Sequence, residues 1–93
     1  MIVTANIVHL YAPWVHSLKE KRMMARSLQK KLQNRFNISV IELDGQDIHQ
    51  TLILGVAHIS LDNAQADRLE EQIYQFIVNN SEAEIVSFER ERR

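Results

Sequence analysis

NISVIELDGQDIHQTLILGVAHIS, residues 37–60, decides how the rest of the chain is read. It opens on the β-branched and apolar run 37–43, passes through DGQDIHQ (44–50) with its Asp44-Gly45 pair, and closes on the strongly apolar TLILGVAHIS (51–60). Two such runs around an Asp-Gly connection predict an antiparallel hairpin. A segment of helical period lies on either side. Upstream, Leu18, Ala25, Leu28, Leu32 and Phe36 recur at helical spacing behind Ser17 and Glu20, a capping-box pair, which predicts a helix over 18–35. Downstream, Asp62 and Gln65 repeat the pattern ahead of Ala66, Leu69, Ile73, Phe76 and Ile77, a second helix that NNSE (79–82) ends. IVTANIVHLY (2–11), before Pro13, and AEIVSFE (83–89) read as the outer strands, with Arg90 to Arg93 left as a loose tail.

The order is therefore βαββαβ, and the fold class is α+β. Right-handed crossovers place both helices on one face of a four-stranded antiparallel sheet, the ferredoxin-like sandwich, with the first and third strands central. Residues 1–93 form a single ferredoxin-like domain, with Leu28, Leu32, Phe36, Leu69, Ile73 and Phe76 expected in its core. The topology also brings the start of the first helix, the hairpin and the end of the second helix to one edge. His16, Lys19, Lys21, Arg22, Asp44, Asp47, His49, Asn79 and Asn80 are expected to meet there.

Composition narrows the class. A chain of 93 residues supports one modest core, and 45% hydrophobic residues with two glycines and one proline are those of a folded domain, not a disordered one. The absence of cysteine excludes disulfides and thiolate chemistry. MIVTANIVHLY has no basic leader or cleavage signal, and no run approaches the length of a membrane span, so a cytoplasmic protein without membrane contact is expected.

The formal net charge of -1 conceals an asymmetry. Residues 1–40 hold seven Lys/Arg against one acid, and residues 41–93 hold four against eleven. The cations crowd into HSLKEKR (16–22) and the helix that follows, where the first-turn dipole favours carboxylates. On a 3.6-residue helix Lys19, Arg22, Arg26 and Lys30 fall within about 80° of one another along roughly 16 Å. They form a stripe suited to phosphates, joined at the helix start by Lys21, whose stem lies along the apolar seam. The competing reading is a solvated helix face whose cations pair with Asp44 and Asp47.

HSLKEKR, NRFNISV (34–40), QDIHQ (46–50) and LGVA (54–57), in this order and spacing, resemble the YlxP-like family of small bacterial proteins of unknown function. The resemblance spans nearly the whole chain. It implies the ferredoxin-like fold and a bacterial cytoplasmic protein, and it brings no catalytic residues. Members are often encoded beside translation-initiation and ribosome-maturation factors, which implies RNA or a ribosomal particle as partner. The chain departs from its relatives at His49, where an aromatic is common, and at Asn6 and His9.

Other chemistry finds little support. His9 and His58 fall at opposite ends of antiparallel neighbours and so cannot share a metal, and His49 with Asp44 and Asp47 lacks a recognised ligand spacing. No nucleophile motif or Gly-rich phosphate loop is present, and Glu42 with His49 is the best acid–base pair available. No cofactor and no enzymatic activity are expected. Both faces of TLILGVAHIS are apolar although helices cover one, so a homodimer through the other is expected. Leu52, Leu54, Val56 and Ile7 are placed at its interface, with Ile53 on the helix side. The absence of aromatics from this strand argues against base stacking on the sheet. The two functions in competition are a non-catalytic RNA- or ribosome-associated binding protein and a homo-oligomeric or protein-interaction module that does not touch nucleic acid.

Overall fold

The computed structural model describes residues 1–43 and 50–93. Strand β1 (Ile2–Tyr11) is followed by helix α1 (Leu18–Arg35), strands β2 (Ser39–Glu42) and β3 (Thr51–Ser60), helix α2 (Asn63–Asn80) and strand β4 (Glu84–Arg92). The sheet order is β2-β3-β1-β4, and every neighbouring pair is antiparallel. This is the α+β, ferredoxin-like arrangement, with β1 and β3 in the centre.

Both helices start where their capping residues stand. The Ser17 Oγ accepts a hydrogen bond from the Glu20 amide at 3.1 Å, and the Asp62 carboxylate accepts one from the Gln65 amide at 2.8 Å. The Gln65 side-chain oxygen reaches back to accept from the Leu61 amide at 2.6 Å. At the other end of α1 the Phe36 amide still donates to the Leu32 carbonyl while Phe36 itself is extended, which starts the chain toward β2. Helix α1 is fastened to that strand by Gln29, whose side-chain amide donates to the Val40 carbonyl at 2.7 Å.

Residues 4, 6, 8 and 10 of β1 and residues 52, 54, 56, 58 and 60 of β3 are buried beneath the helices. Leu28, Leu32, Phe36 and Ile73 are in the core as expected, and Leu69 and Phe76 pack against its margin. Phe36 and Phe76 meet edge to face, with ring centroids 5.5 Å apart. Among the described residues no helix is long and apolar enough to cross a membrane.

Two expectations are corrected. Leu52, Leu54 and Val56 are not on an interface but in the core under the helices, at 0–2% exposure. Ile7 pairs with Gly55, so it belongs to the opposite phase of the pleat, and the uncovered face carries Ile7, Ile53, Gly55 and Ala57. The C-terminal tail is not loose either. β4 runs on to Arg92, opposite Thr4, and Arg93 exchanges both backbone hydrogen bonds with Val3 at 2.8 Å. β2 is shorter than residues 37–43, although the Leu43 amide still donates to the Ile53 carbonyl.

Candidate functional site

Lys19, Arg22, Arg26 and Lys30 are all exposed on α1. Among the described residues none of these four cations takes part in an ion pair. The spacing that puts them on one line also turns them away from Ala25, Leu28 and Leu32, the residues that seat the helix on the sheet. Lys21 belongs instead to that seated row. It is 5% exposed and not without a partner, so it is corrected from a phosphate ligand to an element of the packed face.

The expected meeting of loops is visible in part. The Ala12 amide donates to the Gln50 carbonyl at 2.7 Å, the Gln50 side chain donates to the Val15 carbonyl at 3.2 Å, and Trp14 shares a groove with Lys31 and Asn80. Asp44, Asp47 and His49, and with them the suggested pairings to the stripe, lie outside the described residues. His9 and His58 fall on opposite faces of the sheet. Among the described residues no three His, Asp or Glu side chains converge to hold a metal.

A second constellation lies between α2 and the sheet. Glu70 stands on the buried face of α2, between Ala66 and Ile73. Its carboxylate accepts from the Asn6 side-chain amide at 2.6 Å, pairs with the Arg90 Nε at 2.9 Å and is paired with Arg92, which also meets Asp67 at 2.8 Å. The Asn6 amide also donates to the Glu89 carbonyl at 3.2 Å. With both amide hydrogens given to acceptors, the Asn6 Oδ1 must accept, so the His58 Nε2 donates to it at 2.9 Å. The imidazole is thus held in the Nε2–H tautomer. Its Nδ1 has no partner among the described residues, nor do the buried hydroxyls of Thr4 and Ser60. The sequence signal was available: polar residues at 4, 6, 58 and 60 share the pleat phase of the core, and a glutamate interrupts the apolar seam of α2.

The cluster fastens α2 to β1 and β4. Both oxygens of Glu70 are engaged by Asn6, Arg90 and Arg92. The shallow groove beside it, about 570 Å³, is lined by Asp67, Glu71, Tyr74 and Phe88 among others and holds no Ser, Thr, Cys, Lys or His. Burial pushes the His58 pKa below 6.5, opposed by Glu70 and assisted by Arg92. As pH falls, the unfolded chain therefore takes up this proton before the folded one does. Stability is complete above about pH 7 and declines as the pH drops through 6.5 toward the folded value. Thermal melts between about pH 5 and 8 should show this decline in the wild type and a flatter profile in His58→Gln. Identical profiles would show that His58 is not the titrating group.

Fold and surface together define a small α+β protein with a cation stripe on its first helix and a carboxylate–arginine clamp beneath its second. Over residues 3–90 the sequence matches the family described as "Protein of unknown function (DUF503)", and the chain belongs to that family. It is similar to a protein of Bacillus subtilis (strain 168) described as "Uncharacterized protein YlxP", with 34% identity over 68 residues, 73% of this chain and 74% of that one. The resemblance read from HSLKEKR and the motifs after it is borne out.

Proposed function

We propose that the protein is a non-catalytic RNA- or ribosome-associated binding protein that holds phosphates along Lys19, Arg22, Arg26 and Lys30. The observation that carries this reading is the stripe itself: four exposed cations on one line of α1 that enter no ion pair among the described residues. Exposed cations crowded on one helix repel one another, and a polyanion removes that repulsion while releasing its own counterions. With Lys21 buried, the helix start contributes Lys19 and Arg22 alone, so the contact is spread along the helix and is electrostatic and largely blind to sequence.

Recovery of tagged protein from cell extract, with ribosomal fractions probed, tests the reading. RNA should co-purify at about 50 mM salt, be lost by about 200 mM, and fail to co-purify with the Arg22→Ala, Arg26→Ala variant. Equal recovery with wild type and variant would overturn it.

A further inference from the structure

The sheet face opposite the helices is uncovered among the described residues. Val3, Ala5, Ile7, His9 and Tyr11 of β1 lie there beside Ile53, Gly55, Ala57 and Ile59 of β3, with Ile41 of β2 alongside, and Ile41 and Ile59 are more than half exposed. At its centre Ile7 and Gly55 are directly opposed across the β1–β3 ladder. Ile7 stands proud at 39% exposure, while Gly55 leaves a dent bordered by Ile41 and Leu43. The dent is shut from one side: a Cβ on Gly55 would sit 3.2 Å from the Leu43 Cδ1.

A projection next to a hollow of complementary chemistry is the arrangement that a two-fold axis uses. An axis lying between two facing sheets, above the β1–β3 boundary, sets Ile7 of each copy over Gly55 of the other, and the small Ala5 and Ala57 allow the sheets to approach. With about 3.3 Å rise and roughly 4.8 Å spacing, the four strands together, β4 included, give this face a footprint of about 500 Å². Closing two copies over all of it removes roughly 1,000 Å² from water, about the least that a specific interface needs. Edge pairing is the poorer route, because β2 has four residues and β4 ends in alternating charge. The acids Glu89 and Glu91 of the edge strand β4 share the pleat phase of this face beside Ile7 and Ala5, and Glu89 lies 3.8 Å from the His9 imidazole.

We infer that a second copy of this chain covers the open sheet face, with Ile7 of each subunit seated on Gly55 of the other. The inference is independent of the phosphate reading, since the α1 stripe lies on the opposite side of the sheet. Sedimentation equilibrium at tens of micromolar tests it with wild type, Ile7→Lys, Ala57→Lys and the distant control Gln72→Lys. Wild type and control should be dimers, and each face variant should weaken the dimer by roughly tenfold or more. Far-UV circular dichroism of the variants confirms folding, and two positions guard against the failure of one. A wild-type monomer would overturn the inference. A dimer that both face variants leave intact would overturn it in favour of a different surface.

Discussion

Leu32→Ala and Ile73→Ala are each expected to cost about 2–5 kcal/mol of stability. Leu32 of α1 and Ile73 of α2 are both fully buried, and each is the point at which its helix presses on the sheet. Truncation removes the transfer free energy of the lost methyl groups and leaves a cavity that a two-layer core of this size fills only in part. In a domain of this length each kcal/mol moves the melting temperature by roughly 4–8 °C, so either variant should melt at least about 8 °C below the wild type. Urea unfolding gives the free energy directly. A change under about 0.5 kcal/mol at either position would show that the helix has been seated on the wrong face.

Glu70→Ala should be of similar size, about 3 kcal/mol, for a different reason. Removing this carboxylate takes from the buried Asn6 amide its charged acceptor and leaves Arg92 with Asp67 alone. Arg90 is half exposed and rehydrates, so Arg90→Ala should cost under about 1 kcal/mol. Glu70→Gln keeps an acceptor for Asn6 but no charge for the arginines, and its cost should be intermediate. The order Glu70→Ala, Glu70→Gln, Arg90→Ala in urea midpoints supports the clamp. A loss under about 1 kcal/mol for Glu70→Ala would show that α2 is held by its apolar residues alone.

The same cluster explains what the sequence conceals. Caps and periodicity are local, so Ser17, Asp62 and the apolar seams of both helices place the elements to within a few residues. The choice of sheet face is not local. Both phases of β3 are apolar, with Leu52, Leu54 and Val56 against Ile53, Gly55 and Ala57, and His58 and Ser60 continue the first set. What sends that set inward is Asn6 meeting Glu70, 64 residues away in the chain, which makes a polar phase tolerable in the core. The tail misled for a related reason. Read alone, the ERER run at residues 89–92 is a charged end, whereas in the sheet its glutamates fall on the open face and its arginines turn to Glu70 and Asp67. Lys21 shows the limit of a charge inventory, because its place in the row of Ala25, Leu28 and Leu32 outweighs its ammonium. The stripe itself was legible, being fixed by helix spacing alone.

The most direct test of the phosphate-binding reading is a salt titration of affinity for single-stranded RNA. With three or four phosphates neutralised by Lys19, Arg22, Arg26 and Lys30, log K should fall against log salt with a slope of roughly -2 to -3, and each cation removed should flatten it by about 0.7. Arg22→Ala with Arg26→Ala should therefore bind more weakly and with a shallower slope, at an unchanged melting temperature, since neither side chain enters an ion pair among the described residues. Absence of binding by the wild type at low salt, together with a clear loss of stability in the double variant, would contradict the account and make the HSLKEKR segment a fastener of the fold.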